Sequence, residues 1–543
     1  MGTTVTRVSV AALLMAVFGT SASVFAQAPQ PSQQPPAAAP ALTRKLTADE
    51  AVKLALENNL GIRVARIDPQ VQDLNIVNAK TGWTPNFSTT IQTQSNDAPN
   101  QSFLAGGLGT KTSSDQFAGN IGVTQTLPWG GSYDLGWDSS HFTSNSSYAT
   151  FSPQLRSTLA LNYSQPLLRN WKIDNTRQQV LITSKNREIA DVTVRQTVAT
   201  TTRNVRNAFW DLAYTVASLG VQQQSLDLAQ ESLRDTRARV EIGTTPPIDI
   251  VEAEAEVARR QEAVIVAQGQ IGDAEDTLRA LIFDPNAPDF WTIKIEPTDL
   301  PAFQPITVDT DGAVRNALSR RTDLEQSRKS IEADDINVRF YRNQMLPDIS
   351  AQLNYGLQGL GGTQLQRGPG PFGPGTGDII GSSQRGFGTV LGDLFQNQYP
   401  SWTAGLNISY PIGTSSAEAN LARVQLERSQ ATTRLRQQEL QIATQVRAAA
   451  REVQTNQQRV ESSRSARQLA ERRLEAEQRK FEAGTSTSFL VFQAQRDLSL
   501  ARNVELQNVL NFHRSVIDLE TVQEAPLQGG LTGTAPSTST TVR

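Results

Sequence analysis

Two stretches of this chain, Asn175 to Val240 and Ser416 to Phe481, contain no proline and are dense in Ala, Gln, Arg, Glu, Leu and Val. In the first, Val205, Ala208, Phe209, Leu212, Val216 and Leu219 recur at three- and four-residue steps, as packed helices require. At ~1.5 Å per residue, roughly 65 residues make a rod about 100 Å long, which globular domains rarely contain. Each rod ends at a glycine–threonine pair, Gly243-Thr244 and Gly484-Thr485, and a helix of about half the length is expected to return, Ile248 to Ile282 and Thr487 to Val522. Two further helices are expected from Thr47 to Gly82 and from Asp309 to Gln344, with Thr47 and Glu50 forming a capping box and Pro85 and Pro347 as stops.

Between the helices the period changes to two. Leu159, Leu161 and Tyr163 alternate with Ala160, Asn162 and Ser164. Ile349 to Leu357 and Trp402 to Tyr410 alternate in the same way. Small polar residues on one face and aromatics near the strand ends suit a barrel with a wet lumen. A soluble half-buried sheet gives the same alternation. A candidate hairpin, Phe117 to Leu127 and Tyr133 to Trp137 around Pro128-Trp129-Gly130-Gly131, is left open as to whether it joins the wall. The Gly- and Pro-rich segment from Gly359 to Gln398 reads as a surface loop with a short helix near Val390 to Phe395.

The chain repeats itself. Ala51-Val52-Lys53 returns as Ala313-Val314-Arg315, Asp73-Leu74-Asn75-Ile76 as Asp335-Ile336-Asn337-Val338, and Pro85 with Ser88 as Pro347 with Ser350, all 262 residues apart. Later blocks match at shorter offsets, so the second copy is shorter, mainly between its strands. Each half-length helix, stacked end to end with another, matches one rod. The expected pairing joins 248–282 to 309–344, and the C-terminal helix to the N-terminal one. The prolines at 285, 288, 297, 301 and 305 then form a belt halfway along.

Composition narrows the reading. The 543 residues carry 50 Lys and Arg against 53 Asp and Glu, a balance that offers no basic face for nucleic acid. With no cysteine, there are no disulfides, thiolate metal sites or thiol nucleophiles. Arg7, the apolar run Val8 to Phe18 and the small residues up to Ala26 read as an export signal over 1–26, followed by a flexible segment over 27–43. Without another long apolar run, a membrane-resident form would have to be a closed β-barrel. The tail over 525–543 reads as disordered.

Taken in order, Leu46-Thr47-x-x-Glu50-Ala51-Val52-x-x-Ala55-Leu56-x-x-Asn59, the tandem copies (44–306 and 307–524), Gln165-Pro166-Leu167-Leu168 and the two Gly-Thr tips resemble the TolC-like outer membrane factor family. The resemblance implies an α+β membrane protein. Tandem helix–strand–helix repeats would form a trimeric outer-membrane β-barrel, continued by a long periplasmic α-helical barrel. It implies a homotrimer in outer-membrane lipid, serving as the exit duct of a tripartite efflux or type I secretion system. A periplasmic adaptor and an inner-membrane pump of RND, ABC or MFS type would feed it. It places adaptor docking at Gly243, Thr244, Gly484 and Thr485, and a periplasmic gate at Asp249, with Glu252 one helical turn on. The family's gate arginine would fall at Ser486, and its second-copy acids at Leu490 and Gln493, so that lock is absent here. Arg237, Arg239, Arg479 and Lys480 remain as nearby cations.

No catalytic constellation, metal-ligand spacing or phosphate loop is present, so the expectation is a non-enzyme without cofactor. An exported adhesive coiled-coil protein is the other class. It would show sustained heptads without barrel strands. A simple porin would lack the long rods.

Overall fold

The computed structural model describes residues 43–525 except 101–109, 147, 300–301, 371–372, 374–376 and 414. The expected signal, the flexible segment up to residue 42 and the tail beyond Ala525 lie outside the described residues.

The chain opens with strand β1 (Thr43–Leu46) and helices α1 (Ala48–Asn58) and α2 (Leu60–Lys80). Thr47 caps α1 in a reciprocal box: its backbone N donates to Glu50 Oε2 at 2.9 Å, and Glu50 N donates back to Thr47 Oγ1 at 3.3 Å. Four strands follow, β2 (Asn86–Pro99), β3 (Lys111–Thr126), β4 (Ser132–Ser144) and β5 (Phe151–Pro166). Next come the first rod α3 (Asn175–Glu241), its return α4 (Ile248–Ile282) and strand β6 (Lys294–Pro297). The second copy runs α5 (Thr310–Arg320), α6 (Thr322–Gln344), β7 (Asp348–Arg367), β8 (Ile379–Arg385), α7 (Phe387–Phe395), β9 (Pro400–Ser409), the second rod α8 (Ser416–Glu482) and its return α9 (Ser488–Gln523). Both rods have 67 residues.

Three expectations are corrected. The first helix of each copy is two helices, broken at Asn59 and at Arg321, 262 residues apart. Both breaks fall where another helix ends. Asn59 caps α2 through Ile62 N and donates its side-chain amide to Leu281 O at 3.1 Å, while Asn58 donates to Ile282 O at 3.2 Å. In the second copy, Thr322 donates to Glu524 from its backbone N (3.1 Å) and its hydroxyl (2.8 Å). The stacking partners are therefore exchanged relative to expectation. Here α4 meets α1–α2 along α3, and α9 meets α5–α6 along α8. Each copy closes around its own rod, because its helices share one apolar core. One core joins Ala51, Ala55, Phe209, Leu212, Leu278 and Ile282; the other joins Ala317, Leu324, Val446, Val453, Phe512 and Leu519.

The proline-rich belt docks where these stacks join. Strand β6 pairs parallel with β1. Buried Glu275 accepts from Ile295 N at 2.8 Å and from Arg279 at 2.8 Å, and Arg279 also donates to Ile293 O at 2.7 Å. The buried pair is thus shared with backbone groups that need partners.

The third correction concerns the sheet. The strand order is β2-β3-β4-β5-β7, with β8 on the upper part of β7 and β9 on its lower part. The candidate hairpin is β3–β4, and it sits within the sheet between β2 and β5. The expected surface loop over 359–398 is mostly structured: β7 continues to Arg367, β8 returns, and α7 begins three residues before Val390. One register row reads Phe87, Val123, Leu135, Leu161, Tyr355, Trp402, and the row above it Thr89, Ile121, Trp137, Leu159, Leu357, Pro400. The opposite face reads Asn86, Thr124, Asp134, Asn162, Asn354, Thr403. The sheet is apolar on one side and polar on the other across every strand. On its apolar side α7 covers a patch of small residues. A Cβ at Gly359 would lie 2.1 Å from Val390 O, so glycine is what admits the helix there.

The helices form a single curved layer in the same order. Near the sheet the neighbours run α2-α3-α6-α8, and toward the tips α4-α3-α9-α8. The two copies meet along α3 and α9. There Ser218, Ser225 and Ser232, seven residues apart, face Asn503, Ser499 and Gln495 at 3.5, 3.1 and 2.8 Å. Nearer the belt the seam becomes ionic, with Arg203–Asp518 at 2.6 Å and Arg206–Glu520 at 3.3 Å.

Within this seam His513 is fully buried and stacks on Trp210 at 4.4 Å between ring centroids. Burial lowers its pKa from 6.5 to about 4. The unfolded chain then takes up the proton first, so stability is complete above pH 6.5 and falls as pH drops toward 4, by about 3 kcal/mol per chain. His513→Phe keeps the stack and removes the titration. Thermal unfolding in detergent should show a smaller loss between pH 6.5 and 4.5 for the variant than for the parent; equal losses would assign the acid sensitivity to other groups.

Candidate functional site

The helical tips are built twice by the same local chemistry. At the end of α3, Gly243 adopts φ +79°, and Thr244 donates to Arg239 O from its backbone N and its hydroxyl, both at 2.9 Å. At the end of α8, Gly484 adopts φ +73°, and Thr485 donates to Lys480 O at 2.8 and 3.1 Å. The left-handed glycine lets the chain reverse, and the threonine satisfies a carbonyl that the helix end would leave open. A Cβ on either glycine would meet nothing within 4 Å, so both turns face open space.

Behind the turns the charged side chains are engaged locally. Arg237 pairs with Glu254 at 2.6 Å, joining α3 to α4. Arg239 lies over the Phe481 ring, 4.4 Å from its centroid, joining α3 to α8. Lys480 pairs with Glu477 at 2.7 Å, and Ser486 donates to the same carboxylate at 2.9 Å; the two hold the Glu477 carboxyl below its usual range. Arg479 reaches Glu475 at 3.7 Å. None of the four cations considered from the sequence therefore pairs with Asp249.

Asp249 instead accepts a hydrogen bond from Ser488 Oγ at 3.0 Å, a direct link between the start of α4 and the start of α9. Ser488 is buried and Asp249 half-buried. Glu252 is exposed and forms no ion pair among the described residues, so the structure does not bring the two acids onto one partner. One turn further along α4, buried Glu256 is held by Arg260 at 2.7 Å, and Arg260 also reaches Ser499 at 3.3 Å. The sequence reading missed Ser488, Glu256 and Arg260. Glu256 and Arg260 have only helix-face spacing from Asp249 as a local signal, and Ser488 lies 239 residues away from it.

Around this polar pair the tip is apolar and uncovered. Ile242, Ile248, Val251, Phe489 and Leu490 are all exposed. Among the described residues, no group of three or more His, Cys, Asp or Glu could hold a metal, and no helix is long and apolar enough to cross a membrane.

These features, two copies of a rod-and-return unit carrying a two-faced sheet, define a class of outer-membrane channel. A family model described as outer membrane efflux protein matches residues 130–282 and 313–522, and the chain belongs to that family. Among solved structures it is similar to CusC, with 14% identity, TM-score 0.61, and coverage of 88% of this chain and 92% of that one. It is also similar to the Campylobacter jejuni CmeC outer membrane channel (12% identity, TM-score 0.60, 89% and 86% covered). The open-state Neisseria gonorrhoeae MtrE outer membrane channel matches at 15% identity and TM-score 0.57, with 90% and 91% covered. No curated protein matches the sequence.

A hydroxyl partner changes what the tip contact should do. Asp249→Ala and Ser488→Ala remove the same bond, so each should raise resting conductance in planar bilayers, and the double variant no further. The expected coupling is about 1 kcal/mol per chain, since one partner is charged but the site is partly solvated. An ion–hydroxyl contact is also weakly screened, so the effect should change little with ionic strength. Additive effects would separate the two residues; a steep salt response would point to an ion pair with another chain.

Proposed function

We propose that three copies of this chain close into one continuous duct, which passes substrates from an inner-membrane pump and a periplasmic adaptor to the exterior without doing chemistry itself. The observation that carries this reading is the shared order of open edges. On one side the protomer ends in β2, α2 and α4; on the other it ends in β9 and α8. The edge strands leave backbone groups unpaired in the described chain, which a membrane does not tolerate. On α2, Leu60, Val64, Ile67, Val71 and Leu74 form an exposed stripe at four- and three-residue spacing, and on α8 Leu426, Leu440 and Leu469 are exposed. Such a stripe is the seam of a helix pair whose partner is another chain. Joining unlike edges head to tail gives a ring.

In this reading the apolar sheet face meets outer-membrane lipid and the polar face lines the lumen. The rods project into the periplasm, and their turns at Gly243-Thr244 and Gly484-Thr485 receive the adaptor. The Asp249–Ser488 contact, with Glu252 beside it, lies at the mouth and holds it narrow. The pump is of RND, ABC or MFS type.

Two experiments test this, helped by the absence of native cysteine. Val71 and Leu426 each lie about ten residues from the sheet end of their helices, roughly 15 Å along the axis. Oxidising a Val71→Cys, Leu426→Cys protein should give a covalent ladder that ends at the trimer. A ladder ending at the dimer, or an uncross-linked monomer with full channel activity, would remove the ring.

Topology is read by labelling whole cells with an impermeant maleimide. Gly370→Cys should react directly, and Thr244→Cys only after the outer membrane is permeabilised. The reverse pattern would invert the orientation.

A further inference from the structure

The two copies contribute unequally to the sheet. Copy two supplies β7 and one further wall position, occupied by β8 above and β9 below; copy one supplies four strands. The excess is the hairpin β3–β4. It is not appended to the sheet: β2 has no pairing with β5, and reaches it only through β3 and β4. The two faces also continue through it without a break in phase. Val123, Ile121, Leu135 and Trp137 stand on the apolar side, and Thr124 and Asp134 on the polar side. A hairpin folded as an external flap would be free of that constraint, because both its faces would be wet. Side-chain contacts reinforce the placement on each side. Trp137 Nε1 donates to Ser157 Oγ on β5 at 2.8 Å, and Asn120 of β3 donates to Asp138 of β4 at 2.6 Å on the polar face.

We propose that β3 and β4 are wall strands, so that the closed trimer is an eighteen-stranded barrel whose lumen is as wide as the helical duct that feeds it. This rests on the trimeric duct proposed above and adds the width of its exit. Six positions per protomer, spaced about 4.8 Å and tilted by about 40°, give a perimeter of about 110 Å. At each level four helices cross per protomer, and twelve helices at about 9 Å give nearly the same perimeter. The passage then has no step at the membrane. Discrimination by size falls to the tips, where Ile248, Phe489 and Leu490 stand exposed beside the contact between Asp249 and Ser488. The wall admits whatever has passed the tip, including hydrated solutes too large for a barrel without the hairpin.

The test is accessibility along the hairpin in the assembled, full-length protein in liposomes. Cysteines are placed singly at Phe117, Ala118, Asn120 and Ile121, and as controls at Leu161 and Asn162 on β5. Wall strands should alternate: Ala118→Cys and Asn120→Cys label with an impermeant maleimide, whereas Phe117→Cys and Ile121→Cys lose that labelling and are quenched by a lipid-borne nitroxide. Retention of the trimer by each variant on unheated gels excludes misfolding as the cause. If β5 alternates and the hairpin labels on both faces, the hairpin is a flap and the eighteen-stranded wall is wrong while the duct stands. If β5 itself does not alternate, the membrane reading of the sheet fails and the wall falls with it.

Discussion

The structure depends on one constraint: every backbone amide of a sheet in hydrocarbon must be paired, and this chain leaves two long edges open. Strands β2 and β9 are exposed along their whole length, and both carry large apolar side chains, Phe87 and Ile91 on one and Trp402, Leu406 and Ile408 on the other. In water such edges invite aggregation. In lipid each orphaned group costs several kcal/mol. In the proposed ring a single chain is therefore one arc. The helices obey the same logic with side chains instead of amides, since the apolar stripe of α2 sits on the same side of the protomer as the open edge of β2. Strand and helix edges that agree in order let one rotation satisfy both.

Within the protomer the two copies are held to themselves more firmly than to each other. Each rod shares an apolar core with its own return helices; the α3–α9 seam is serine, glutamine and asparagine near the tips, while nearer the belt it adds ion pairs and buries Leu510, His513 and Ile517 of α9 against α3. Partly exposed hydrogen bonds and ion pairs contribute little each, and exchange with water at low cost. Toward the tips the seam can thus shear without exposing a core, whereas nearer the belt it cannot. The belt has the opposite character: Glu275 and Arg279 are buried and satisfied by backbone groups of the belt segment, an arrangement that resists displacement. Compliance is placed at the tip end and rigidity at the middle.

Much of this was legible in the sequence because it is written in period and punctuation. The rods, the Gly-Thr turns, the Thr47 box and the internal repeat are local signals. Helix pairing was not, because length alone cannot say which half-helix stacks on which; that is decided by Asn58, Asn59 and Thr322 reaching carbonyl or carboxylate groups more than 200 residues away in sequence. The break at Arg321 is hidden for the same reason, since arginine is an ordinary helix residue. Strand β2 was overlooked because threonine holds every second place on its apolar side, and the segment before β9 because glycine and proline suggest a loop. There the glycines are packing devices that seat α7.

The tip shows how far a resemblance carries and where it stops. Glycine at both turns follows from backbone geometry and would be required in any helix reversal of this shape. The aspartate at position 249 has two roles: it is the one acid in the first turn of α4, where the helix dipole favours it, and its carboxylate reaches beyond its own helix. What Asp249 has that Glu252 lacks is a partner on the other copy. Ser486 is turned to Glu477, and the hydroxyl of Ser488 is what Asp249 binds. A hydrogen bond of this kind is a short contact that acts only when the two helix starts already touch. In the proposed mouth, Ile248 and Phe489, which stand exposed beside the bond, are the apolar surface left for closure.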